Sequence, residues 1–403
     1  MFSRFLVVVS SLLVFSSALL AKEQSASGRT AVVLCYHIVE SPKDPKMELS
    51  RDQFLRQMNY LSSTGYNVIP LADLLDYVAG RKDSIPDNAV VITVDDGWRS
   101  TYTEVFPEMK RLGLPFTAFI YPSFIGGGGH AMNWGQVKEM AEAGVDIQSH
   151  SYSHPFLTQR RHRRFDNDAY DRWLQTELVT SKKLIEEHIG KPVRAIAYPY
   201  GDYDSLLTKA TAAAGYDLGL TCDFGRVVKG SDPLRMRRVS IYGDTSFDTF
   251  RSEVGAHPMK VEQQTPTRVL DRSRPIVAAR IADYRNLDPG SVGMTILSLG
   301  TTSYSYNPKD GAISLVVRQP LQDNRQQAII WGNDARTGKR YEALWTFYLT
   351  QPQPEPRVLP PPPAPVVPEV VPGIPVDSAA PPSDKADARP IEEKKDVAAS
   401  RRR

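Results

Sequence analysis

From about residue 30 to residue 255 the chain alternates short, β-rich apolar runs with segments of helical period, a pattern that few folds accept. The runs are AVVLCYH, NAVVITV, FTAFIY, VDIQSH, RAIAYPY, YDLGLT and RRVSIY. Strands apolar on both faces belong in a mostly parallel sheet covered by helices. Seven of them predict an α/β architecture, either a barrel or a wound sheet. The helices between them carry start and stop signals. Ser50 with Gln53 forms a capping-box pattern ahead of Phe54, Leu55, Met58 and Leu61, with Gly65 after the last turn. Asn133 can cap a helix that ends at Gly144, and a long helix from about Asp166 to His188 is closed by Gly190 and Pro192. In such folds ligands gather at the carboxyl ends of the strands, so polar residues there are the candidates for chemistry.

The rest of the 403 residues divides around that block. Residues 1–21 place one arginine before an apolar run that ends in small residues, which reads as a signal peptide. The protein is therefore expected to be exported, to the periplasm, the cell surface or the medium. Membrane contact is expected only if that segment stays uncleaved. Residues 273–350 hold strand-like runs separated by turns such as Asp288-Pro289-Gly290 and Asp310-Gly311, the pattern of a small β-sandwich. Beyond residue 351 a proline-rich stretch cannot bury a core and reads as a disordered tail. The two cysteines, Cys35 and Cys222, lie in expected buried strands and read as small hydrophobes, not as a disulfide framework. A net charge of +3 and scattered basic residues exclude a nucleic-acid binder. The one dense basic cluster, Arg160, Arg161, His162, Arg163 and Arg164, reads as a solvated loop.

Three strand ends carry chemistry. VVITVDDGW puts Asp95 and Asp96 where Gly97 turns the chain, so that both carboxylates can reach one pocket. VDIQSHSYSHP ends a later strand with His150 and His154. Two histidines and a carboxylate that leave coordination positions open have the composition of a catalytic zinc site. AIAYPYGDY ends a third strand with Tyr198, Pro199, Tyr200 and Gly201, where the N–H of Tyr200 can point at a developing oxyanion.

Together these segments resemble the NodB-homology polysaccharide deacetylases over about Val32 to Val254. The first motif of that family, Thr-Phe-Asp-Asp-Gly, is Thr93-Val94-Asp95-Asp96-Gly97 here. The second is His150-Ser151-Tyr152-Ser153-His154, and the third ends in Pro199-Tyr200-Gly201. An early Tyr36-His37 and the aromatic-Pro-aromatic-Gly third motif resemble the poly-N-acetylglucosamine deacetylases in particular. The resemblance implies a distorted (β/α) barrel of about seven strands over residues 30–256, acting on an N-acetylated polysaccharide. It implies Asp95 as general base, and Asp96, His150 and His154 as ligands of a divalent ion, zinc first, with cobalt or nickel as alternatives. Trp98, Tyr198, Pro199 and Tyr200 are then expected to line the substrate. Residues 273–350 resemble the bacterial Ig-like domains, whose closing Trp-x-Phe strand is here Trp345 and Phe347.

The sequence departs from the family at two points. Many relatives have an arginine where this chain has Ala197, and a late Leu-x-His that supplies a general acid is missing. Arg238 is a candidate tether for the base, with Arg237 as the alternative, because a one-residue register change swaps faces. His37 ends the first strand and can reach the site. A competing reading is a surface carbohydrate-binding protein with impaired catalysis, motivated by the missing histidine and the added domain.

Overall fold

The computed structural model describes residues 29–40, 44, 48–158, 166–266, 270, 274–300, 302–321 and 325–349. The expected signal peptide, the Arg160–Arg164 cluster and the proline-rich tail lie outside these residues. Among the described residues, no helix is long and apolar enough to cross a membrane.

All seven expected strands enter one sheet. In chain order these are β1 (Thr30–Tyr36), β2 (Ala89–Val94), β3 (Thr117–Ile120), β4 (Asp146–Ser149), β5 (Ala195–Ala197) and β6 (Leu218–Leu220). The antiparallel β7 (Val227–Val228) and then β8 (Val239–Ser240) follow. β1 to β6 run parallel as consecutive neighbours, in register Leu34 to Ile92, Val94 to Ala118, Ile120 to Ser149, Ser149 to Ile196 and Ala197 to Leu220. The sheet curls until its ends nearly meet. Met236 bridges Leu220 on the last parallel strand, while Val239 and Ser240 pair with Leu34 and Cys35 on the first. Residues 236–240 are therefore the seam of a distorted barrel.

Period-two burial explains the layers. Val32, Leu34 and Tyr36 join one core with helix residues Phe54, Met58 and Leu61, whereas Ala31 and Val33 face a second core with Leu74, Tyr77 and Met236. Helix Arg51–Ser63 opens on the expected Ser50–Gln53 capping box, and helix Trp134–Glu142 on Asn133 with Gln136. The long helix is interrupted: Asn167–Gln175 passes through a π-helical turn, Thr176–Thr180, into Ser181–Ile189 and ends on left-handed Gly190.

The second unit is two facing four-stranded sheets. One holds β9 (His257–Pro258), β12 (Gly293–Ile296), β15 (Arg325–Asn333) and β16 (Arg340–Tyr348). The other holds β10 (Val261–Thr265), β11 (Ile276–Ile281), β13 (Tyr304–Tyr306) and β14 (Ala312–Val316). They share a core in which Trp345 and Phe347 pack with Val277, Met294, Leu315 and Ile330. Strands β9 and β10 precede residue 273, because the chain leaving helix Phe247–Gly255 goes straight into the edges of these sheets.

Candidate active site

Val94 is the last residue of β2, and Asp95 N still bonds Tyr36 O across to β1. Asp96 then takes a left-handed backbone at φ 78° and Gly97 follows at φ 91°. That reversal brings two successive carboxylates to one side. A Cβ on Gly97 would stand 2.8 Å from the Ile125 side chain, so the turn requires glycine.

His150 follows β4 and His154 lies on the loop beyond it. Their Nε2 atoms sit 3.4 and 3.3 Å from Asp96 Oδ1, and His150 Nε2 is 3.8 Å from Asp95 Oδ2. His150 Nδ1 is 2.7 Å from the Ala197 carbonyl, which assigns the proton to Nδ1 and leaves the Nε2 lone pair facing Asp96. Ala197 thus contributes its backbone oxygen. Asp96 Oδ1 is buried and has no hydrogen-bond donor among the described residues. Two imidazole nitrogens and one undonated carboxylate oxygen, all within 4.8 Å of one another, form a donor set that fits a divalent ion. Trp98 Nε1 donates to the other oxygen, Asp96 Oδ2, at 2.9 Å and fixes the carboxylate plane.

The loop from Ser151 to His154 is strained and braced. Ser151 and His154 have φ of 65° and 59°, and with Asp96 and Tyr200 they make four of the six left-handed non-glycine residues described. Strain concentrated in one place marks a functional constellation when the surroundings over-determine it. Here Glu177, buried on the π-helical turn, accepts from Tyr152 N at 3.1 Å, Ser153 N at 2.9 Å and Ser153 Oγ at 2.6 Å. Ser181 Oγ donates to Ser151 O at 2.8 Å. Sequence reading missed Glu177, since a glutamate inside a helical run carries no local sign of such a task.

Asp95 is wholly buried against Arg238. One guanidinium nitrogen reaches both carboxylate oxygens, at 2.9 and 2.8 Å, and Arg238 Nε donates to Thr221 O at 2.9 Å. Of the two arginines left open by the sequence, Arg238 faces inward, and Arg237 points to Leu344 O at 3.3 Å. Burial pushes the Asp95 carboxyl up, but Arg238 and then His150 outweigh it and hold it below its ordinary value. Burial also opposes ionisation of Asp96, and the His150 and His154 imidazoles beside its carboxylate outweigh that and hold it well below the usual range. His37 lies on the other side of Asp95, its nearest ring nitrogen within 4.8 Å of the Asp95 and Cys35 ligand atoms. Burial depresses the His37 imidazole more than Asp95 and Asp96 raise it, and its Nδ1 has no partner among the described residues.

The family profile of the polysaccharide deacetylases matches residues 82–219, a span that carries all three motifs. The chain carries a polysaccharide deacetylase domain. The poly-β-1,6-N-acetyl-D-glucosamine N-deacetylase of Staphylococcus epidermidis is 26% identical over 244 residues, covering 56% of this chain and 83% of that protein. The Escherichia coli K12 enzyme of the same name is 23% identical over 274 residues, covering 59% of this chain and 40% of that protein. Among solved structures, the Streptococcus pyogenes deacetylase PplD in complex with acetate superposes with a TM-score of 0.51 at 21% identity, covering 56% of this chain and 99% of that one. That superposition shows the shared fold.

Not every residue expected to line the substrate reaches the mouth of this deacetylase domain. Tyr198 is fully buried, with its hydroxyl bonded to Leu234 O at 3.1 Å and packed where a Cβ on Gly219 would stand. It directly follows β5, and its N–H still bonds Leu220 O, so the side chain keeps facing the core. Pro199 is buried as well. Tyr200 is 55% exposed; its ring stacks on Phe156 at 4.0 Å and meets His154 edge-on at 4.8 Å. Gly201 is obligatory, because a Cβ there would sit 2.3 Å from Cys222 N. Across the site, Trp98 packs edge-on against Phe124, which stacks on Tyr121. Cys222, expected in a buried strand, lies past the end of β6 and is exposed, and both cysteines are free thiols.

Proposed function

We propose that this protein is a metal-dependent hydrolase that removes acetyl groups from N-acetylglucosamine units of an extracellular or cell-wall polysaccharide. The observation that carries the reading is the convergence of Asp96, His150 and His154 beside an Asp95 that Arg238 keeps ionised. Asp96, His150 and His154 would hold the ion, zinc first and cobalt or nickel as alternatives. When bound, such an ion supplies a Lewis acid for the amide carbonyl and lowers the pKa of water.

The protein residues divide the remaining work. Asp95, ionised at neutral pH, accepts the proton of the attacking water. The Tyr200 N–H serves as an oxyanion donor, and the Tyr200 ring with Trp98 bounds the sugar. His37, whose Nδ1 has no partner among the described residues, lies beside Asp95 and would pass the proton that Asp95 takes up to the departing amine, a task that the missing Leu-x-His would otherwise fill. The relatives named for poly-β-1,6-N-acetyl-D-glucosamine deacetylation support this polymer as the first substrate to try, and export through residues 1–21 would place the enzyme with it. We also propose the division into a deacetylase domain, residues 30–256, and an Ig-like domain over residues 273–350, to whose sheets strands β9 and β10 add their edges.

Acetate release from poly-N-acetylglucosamine, chitin oligomers and peptidoglycan, with chelator and with added divalent ion, tests the reading. Release that chelation abolishes and metal restores is expected. No release from any of the three would favour the binding-protein alternative.

A further inference from the structure

The tether of Asp95 does not end inside the deacetylase domain. Arg238 is anchored by the turn that follows β6: its Nε donates to Thr221 O, and its backbone N donates to Asp223 O at 2.9 Å. Asp223 is 3% exposed, and its carboxylate meets one neighbour on each oxygen. Tyr203, two residues past the Pro199-Tyr200-Gly201 motif, donates its hydroxyl to Asp223 Oδ2 at 2.9 Å. Arg325, the first residue of β15 in the second unit, forms an ion pair with Asp223 Oδ1 and lies over the Tyr203 ring at 4.9 Å. The same face is sealed by Arg237 on Leu344 O and by β9, which pairs His257 and Pro258 with Tyr341 and Glu342.

A buried carboxylate that lost its cation would be left with an uncompensated charge, and the turn holding it would move to find water. That turn carries both backbone acceptors of Arg238. From this geometry we infer that Arg325 is a positioning residue for the deacetylase site, acting from the second unit through Asp223 on Arg238 and so on Asp95. The inference rests on the function proposed above. It makes the β-sandwich a part of the active site's support, and it assigns Tyr203 to the same relay.

The test uses the full chain. Arg325→Gln should lower kcat by about tenfold and leave KM within about twofold, because the affected group acts in the reaction step and not on ground-state binding. Metal content should be unchanged. Arg325→Lys, which keeps the charge, should recover most of the loss. In an Arg238→Lys background, the added Arg325→Gln substitution should cost less than about twofold, since residues on one relay are not additive. Hydrogen exchange supplies a readout that needs no turnover: the Arg238 amide should exchange about tenfold faster in Arg325→Gln, while amides of β1 keep wild-type rates. If Arg325→Gln does not fold, Tyr203→Phe, which removes the donor to Asp223 Oδ2, is read in the same two ways. Unchanged Arg238 amide exchange, or a full additive loss in the Arg238→Lys background, overturns the relay. A wild-type chain that releases no acetate overturns the proposed function, and the exchange measurement still decides the relay.

Discussion

Arg238 reaches both oxygens of Asp95 with a single guanidinium nitrogen while its Nε is held by the Thr221 carbonyl. The cation thereby cancels the burial that would otherwise protonate the acid. Arg238→Gln removes the charge and leaves the burial, so Asp95 should protonate at higher pH. The acid limb of kcat/KM should then move up by about one pH unit or more. A pH–rate profile checks this, and an unmoved limb would separate Asp95 from the titrating group.

The neighbouring aspartates should respond differently to the same substitution. Asp95→Asn keeps shape and removes the basic lone pair, so turnover should fall by roughly 10²-fold with metal still bound. Asp96→Asn weakens a ligand, so added metal should restore it in part. Metal analysis beside acetate release distinguishes them; rescue of Asp95→Asn alone would reverse the two roles.

His150→Ala and His154→Ala each remove one of three protein donors for the ion. Both should lower bound metal and acetate release together. Full occupancy in both variants would mean that the ion binds elsewhere.

Glu177 touches no proposed ligand directly, yet it accepts three hydrogen bonds from the loop that carries His154. Glu177→Gln presents an amide to donors and should weaken metal affinity by about 10-fold to 100-fold, the usual effect of losing an outer partner. Calorimetric titration of the stripped protein with zinc measures it.

A chain cut near residue 260 would expose Asp223 and remove strand β16, with which residues 257 and 258 pair. It should melt several degrees lower than the full chain, by about 4 °C or more, and release acetate more slowly. Identical melting and turnover would show the second unit to be an independent module.

What was legible in the sequence was local. The double aspartate, the spaced histidines and the third motif each sit within a few residues of a strand end, where period and turn chemistry speak directly. Tyr198 was misjudged because its run reads as one aromatic patch, although β5 has ended and only Tyr200 has turned outward. The choice between Arg237 and Arg238 needed the seam, where pairing with β1 fixes which side chain enters the barrel. Glu177 and Arg325 act 24 and 102 residues from the groups they contact, Ser153 and Asp223, and no pattern within a window reports such distances.

The π-helical turn at Thr176–Thr180 has a consequence for how this gene can tolerate length changes. Such a turn accommodates one extra residue, so the helical segments before and after it are out of phase by about 100°. Removing a single codon there would restore an uninterrupted α-helix and swing the brace of the histidine loop to another face. Deletions in this helix should therefore be poorly tolerated even where every individual substitution is accepted.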